Sequence, residues 1–174
     1  MRDARSAIVQ AALWLVAHRA HCTYSEGSQR MSGINRPFVL PFVGDCSATV
    51  TDWYNWAGVL EDPNHVPWSS GQGYTGTLLS AGEHLALWRR NGVRSRIEEV
   101  KPADILVLGP GTGVHAVLVV GLGNGDPVVA SMGQPGDPGI YRASQMAFLG
   151  EATYLRFDTM AKKVHYPPGY KKIR

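Results

Sequence analysis

Apolar positions near the start of the chain recur at helical spacing. Ile8, Ala11, Ala12 and Leu15 share one side of residues 4 to 20, and Arg5, Gln10 and Arg19 are left for water. An amphipathic first helix is expected there. From Thr23 to Gly44 the text is polar and then broken by proline (RPFVLPFVG), with neither period, so it reads as an extended loop. The pattern resumes in DCSATVTDWYNWAGV. Asp45 is a good N-cap, Val50, Trp53 and Trp56 or Ala57 share a face, and Gly58 supplies a stop. A second helix is expected over about 45 to 57, with Trp53 and Trp56 in the core.

A loop rich in Pro, Gly and Ser follows (EDPNHVPWSSGQGY), and Thr75 or Thr77 then caps a short helix toward Ser80. Beyond it the period changes. ADILVLG, VHAVLVVG, DPVVAS and TYLRF are short apolar runs, rich in β-branched residues and bounded by Gly, Pro and Asp. GLGNGDP between the second and third is a hairpin connection. Helices thus precede strands. This order predicts an α+β fold in which N-terminal helices pack on one side of a central antiparallel β-sheet. The expected organisation is a single domain over 1–160 and a basic tail or linker stub over 161–174.

Composition narrows the class without naming a function. The 174 residues, 44% hydrophobic and 18% charged, are enough for a core and exclude disordered, collagen-like and repeat classes. Two cysteines, Cys22 and Cys46, make neither a disulfide framework nor a CxxC zinc knuckle. His18, His21 and Cys22 lie at helical spacing, but no fourth ligand is in view, so no metal and no cofactor is expected. The net charge of +3 comes largely from KKVHYPPGYKKIR, which reads as a solvated tail suited to an anionic polymer rather than to nucleic acid. No apolar run reaches 18 residues, so no membrane span is expected. HRAHC after AIVQAALWLVA is a poor cleavage site for a signal peptide.

Two residues stand out for chemistry. Cys46 follows the expected N-cap, where the helix dipole and free backbone amides favour a thiolate, so its thiol is expected to be more acidic than the ordinary value near ~8.5. His115 opens a sheet-forming run. Alternation places it on the same strand face as Val117 and Val119, so the ring is either satisfied in the core or held rigid for use. A cysteine at a helix mouth with a histidine early in a strand is the arrangement of papain-like sites. GPGTG before His115 leads into a strand and reads as a turn, not a phosphate loop. Trp68, in a loop after a proline, is a candidate groove wall for a sugar ring.

The ordered strings DCSA, KPADILVLG, VHAVLVVG and DPVVASMG, with GQGYTGTLLSAG between helix and sheet and a closing TYLRF, resemble the NlpC-type (papain-like) cell-wall cysteine peptidases, most nearly their actinophage endolysin branch. The resemblance runs from about Tyr24 to Phe157. It implies a papain-like fold with Cys46 as nucleophile and His115 as general base and then acid. Asp45 and Ser47 would lie near the bound peptide, with Tyr24 lining the pocket. The family pattern places a polar residue, commonly the histidine of a Ser-His-Gly string, on the next strand to orient the imidazole. Here the string is Ser131-Met132-Gly133, and a thioether cannot hold a ring tautomer. Ser131, Gln134, Asp137 or a backbone carbonyl substitutes, or the site is impaired.

The activity implied is hydrolysis of an amide bond in the peptidoglycan stem peptide by a bacteriolytic, phage endolysin-like cysteine peptidase, monomeric, made in the host cytoplasm and acting at the cell wall. Two alternatives accompany it: a catalytically impaired wall-binding module of the same fold, and an amidase or transpeptidase of the related CHAP type.

Overall fold

The computed structural model describes residues 2–59, 74–81, 83–88, 99–134, 136–157 and 159–171, with residues 81 and 83–88 described as backbone. In chain order the elements are β1 (Arg2–Asp3), α1 (Arg5–Ala17), β2 (Cys22–Tyr24), β3 (Phe42–Gly44), α2 (Cys46–Trp56), α3 (Thr75–Ala81), β4 (Glu83–Trp88), β5 (Ile105–Leu108), β6 (His115–Gly121), β7 (Val128–Ser131), β8 (Gly139–Arg142), β9 (Ala152–Arg156) and β10 (Met160–Ala161). Six of these strands form an antiparallel sheet in the order β4-β9-β5-β6-β7-β8. The fold is α+β, as the order of periods implied. The four apolar runs became β5, β6, β7 and β9. The two strands at the ends of this sheet, β4 and β8, carry no such run, because an edge strand pairs on one side only and needs less apolar surface.

The central strands are apolar at most positions on both sides because both faces of the sheet are covered. Ile105, Val107, Ala116, Leu118, Ala130 and Leu155 face α1 and α2 in one cluster that includes Ile8, Leu15, Trp53 and Trp56. Leu106, Leu108, Val117, Val119, Val129 and Tyr154 form a second cluster under Val100 and Met146, the latter from a 3-10 segment over Ala143–Leu149. The helices cover one face, as expected, and local segments after them close the other. A buried carboxylate ties the layers together. Asp104, wholly buried, accepts from Arg5 Nη2 of α1 at 2.6 Å, from Arg156 Nε and Nη2 of β9 at 3.0 and 2.7 Å, and from the Lys101 amide at 2.8 Å.

Three local readings change. The first helix stops at Ala17 and a separate 3-10 turn, Arg19–His21, follows. The segment between Thr23 and Gly44 is more than an extended loop. Its two ends pair as parallel strands β2 and β3, and its middle is strapped across α2 by Asn55 Nδ2 donating to Ile34 O and Trp56 Nε1 donating to Gly33 O. The stretch read as a basic tail is folded back on the body. Its β10 start pairs with β1, His165 N donates to Ala57 O at 3.3 Å, and Val164 and Tyr166 pack on the core beside α2.

Beneath the strap, α2 buries a carboxyl. Asp52 is wholly buried, and neither of its oxygens has a hydrogen-bond partner among the described residues. Burial, reinforced by Asp45 and opposed by Arg30, pushes this carboxyl well above the ordinary range, so it keeps its proton to higher pH than a carboxyl in water. The folded chain then holds a proton that the unfolded chain gives up above about pH 4, and stability falls as pH rises. Asp52→Asn is expected to gain stability over wild type as pH is raised from about 4 to 8, by up to about 1.4 kcal/mol per pH unit. Urea unfolding at a series of pH values measures this, and a flat difference would show an ionised Asp52 in the fold.

Candidate active site

The site is assembled where α2 begins and β6 begins. Asp45 is extended, and its carboxylate accepts from the Ala48 amide at 2.8 Å, so it caps α2 as the sequence indicated. This sets Cys46 in the first turn, 8% exposed. The Ala116 backbone and the backbone and side chain of Ser47 act on its sulfur, each favouring the thiolate. Ala116 is the second residue of β6 and follows His115 in the chain, so the nucleophile's helix meets the sheet beside the strand that carries the histidine.

His115 is half-buried at the strand's start, paired in register with Leu108. Its Nε2 lies 2.9 Å from Ser131 Oγ on β7. The pleat explains the meeting. Ser131 is opposite Val117, so it shares a sheet face with Val117 and, one pleat along, with His115. Among the substitutes considered for Met132, Ser131 is the one in contact with the ring, while Met132 is turned into the protein at 1% exposure. Gln134 lines the same cleft as His115, but the hydrogen bond of the ring goes to Ser131. Asp137 organises the turn after β7. Its Oδ2 accepts from the Gly133 and Gln134 amides at 2.7 and 3.2 Å, and its Oδ1 accepts from Tyr141 Oη at 2.5 Å. Gly133 is needed for closeness, since a Cβ there would stand 2.7 Å from His115 Cε1.

A cleft of about 540 Å³ opens over the histidine. Tyr24, His115, Ser131, Gln134, Asp137 and Tyr141 supply its polar wall, and Val114, Met146, Phe148 and Leu149 its apolar one. Tyr24 donates from its hydroxyl to Glu26 at 2.6 Å, and its acidity is weakened by burial, by this bond and by the nearby Cys46 and Asp45. Asp45, Cys46 and Ser47 are all buried at the helix mouth and are not among the residues that line the cleft. Asp45 and Ser47 face Arg30 of the strap. Asp45 forms a salt bridge with Arg30 Nε and accepts from Nη2 at 3.2 Å, and Ser47 Oγ accepts from Nη2 at 3.0 Å. Trp68 lies outside the described residues. Arg30 and Tyr141 were not signalled by the sequence: each is one polar residue in a loop or edge strand, with no period or motif around it, and Gly133, although it closes the Ser131-Met132-Gly133 string, was given no role.

The electrostatics correct one expectation. Burial pushes the Cys46 thiol up, and Asp45 adds to this. The hydrogen bonds from Ala116 and Ser47 oppose it without prevailing. Burial likewise pulls the His115 imidazole down, with Asp137 and Asp45 opposing. The helix mouth alone favours a thiolate, but desolvation of a nearly buried sulfur outweighs it. Thiol and imidazole are therefore both neutral at rest. Among the described residues no group of three or more His, Cys, Asp or Glu is arranged to hold a metal ion, and no helix is long and apolar enough to cross a membrane.

No protein-family model matches the chain, and no curated protein matches it either.

Because a raised acid constant delays the thiolate to higher pH, iodoacetamide alkylation of Cys46 is expected to rise with a midpoint above the ordinary value near ~8.5. Mass spectrometry of the Cys46 peptide across pH 6 to about 11 checks it, and a plateau reached below neutrality would show a preformed thiolate.

Proposed function

We propose that the chain is a papain-like cysteine hydrolase of the NlpC type that cleaves an amide bond in the peptidoglycan stem peptide, acting at the bacterial cell wall in the manner of a phage endolysin. One observation carries the reading. α2, whose first residue is Cys46, packs on β6, whose first residue is His115, and Nε2 of that histidine is held by Ser131.

With Nε2 engaged by Ser131, Nδ1 is the nitrogen left for the thiol. In the base form Nε2–H donates to Ser131 Oγ and the Nδ1 lone pair is free. Substrate in the cleft excludes water, and His115 takes the thiol proton as the sulfur attacks the amide carbon. The backbone amide of Cys46, at the helix N-terminus, meets the developing oxyanion. The imidazolium returns its proton to the leaving amine, and the C–N bond breaks to leave a thioester. Water, deprotonated by the same ring, then releases the acid and the free thiol. A neutral resting pair suits this sequence, because the proton moves only when the carbonyl is in place. The mixed wall of the cleft suits a peptide with both apolar and amide groups.

The neutral resting pair and the absence of a charged orienter at position 132 also support a second reading, a wall-binding module of the same fold with little catalysis. Turbidity of a purified cell-wall suspension separates the two. Cys46→Ala and His115→Ala are each expected to abolish lysis while wall binding persists; lysis that survives Cys46→Ala ends the proposal, and a wild type that binds walls without clearing them favours the second reading. Product masses then distinguish an endopeptidase from an amidase or transpeptidase.

Two substitutions on β7 and the turn beyond it grade the role of the ring's support. Ser131→Ala, which removes the Nε2 partner, is expected to lower the lytic rate about 10- to 100-fold with the thermal midpoint little changed. Gly133→Ala, which pushes a methyl into Cε1, is expected to cost at least as much. Rates equal to wild type in both would remove Ser131 from the mechanism.

A further inference from the structure

The strap over α2 delivers one cation to the helix mouth. Arg30 uses Nε and Nη2 against both oxygens of Asp45, and Nη2 also donates to Ser47 Oγ. Its side chain is 21% exposed and that of Asp45 9%, so the pair sits mostly out of water and is weakly screened. Asp45 and Ser47 flank the nucleophile in the sequence, and both act on it: the Asp45 charge opposes ionisation of the sulfur, and the Ser47 amide and hydroxyl favour it. We infer that Arg30 is a positioning residue for the nucleophile, clamping the residues on either side of Cys46 and neutralising the carboxylate that would otherwise face the developing thiolate.

The inference rests on the reading of Cys46 as nucleophile and adds a residue from a distant loop to its environment. Asp45 cannot simply be dispensed with, because its carboxylate also caps α2 through the Ala48 amide. An anion needed for folding stands beside a sulfur that must become an anion in the reaction. A guanidinium meets both needs, since its fork holds the carboxylate in place for the cap while its charge offsets the carboxylate's field. The strap itself is fixed independently of Arg30, by Asn55 and Trp56 holding the Gly33 and Ile34 carbonyls. Other titratable groups around the sulfur are Tyr24 from β2 and His115 from β6, with Asp52 further along α2. Tyr24 is neutral over the working range, and burial pushes Asp52 toward its neutral form, which leaves the Asp45–Arg30 pair as the charged element beside the thiol.

The test is the pH profile of Cys46 alkylation in the intact chain, read by mass spectrometry so that Cys22 does not interfere. Arg30→Met is expected to move the midpoint up by about 1 pH unit, and Arg30→Lys, which keeps the charge but not the fork, to recover at least half of that shift. Adding Asp45→Asn to Arg30→Met, a change that preserves an N-capping residue, is expected to bring the midpoint back to the wild-type value or below. This double variant decides the matter if Arg30→Met alone proves less stable. A midpoint unmoved by Arg30→Met in a chain with wild-type circular dichroism overturns the inference, as does a raised midpoint that Asp45→Asn fails to lower. The profile needs no turnover, so it stands apart from the lysis assay: loss of the lytic reading leaves it measurable, and its failure leaves that reading untouched.

Discussion

The packing of α2 on β6 fixes how the helix layer meets the sheet. It joins the first turn of α2 to the first residues of β6, two places that the chain reaches by separate routes. The packing of Trp53 and Val50 against Ala116 and Leu118 holds the body of the helix on the sheet. The cap by Asp45 sets where that helix begins, and the GPGTG turn sets where β6 begins. If the start of β6 slipped by one residue, His115 would lose Ser131, because a one-residue shift in a strand turns its side chains to the opposite face.

Burial then decides the electrostatic state of the site. A thiol at a helix N-terminus is ordinarily a candidate for ionisation, and three donors surround this sulfur. Desolvation nevertheless dominates, for the same reason that Asp52 stays protonated under the strap: water removed from a charge is not replaced by an equal set of dipoles. The contrast with Asp104 is instructive. That carboxylate is as deeply buried, yet two arginines and a backbone amide take the place of water around it. What separates the two is partners, not depth.

The third position of the site shows how a pleat can replace a motif. An imidazole needs a polar atom on its far nitrogen, and the residue that supplies it has only to occupy the correct face at the correct distance. Ser131 does so from the position before Met132, because residues 115, 117 and 131 point to one side of the sheet and 116, 130 and 132 to the other. Gly133 then leaves room for the ring, and Asp137 locks the turn that keeps Gly133 there.

Periodicity by itself determined both helices, the Asp45 cap, the four apolar strands and the split of β6 into two faces, since these depend on neighbours a few residues apart. It also singled out Cys46 and His115, one by its place after a cap and the other as a polar residue opening an apolar run. Only the tertiary structure decided what touches them. The edge strands β4 and β8, the strap across α2, the return of residues 160–171 to the core and the covering of the second sheet face are long-range outcomes with no local period. The same holds for Ser131 as the ring's partner, for Arg30 against Asp45, and for the direction in which the thiol's acidity moves. Each depends on which surfaces lose water when distant segments close on one another, and burial is a property of the assembled layers that no window of the sequence contains.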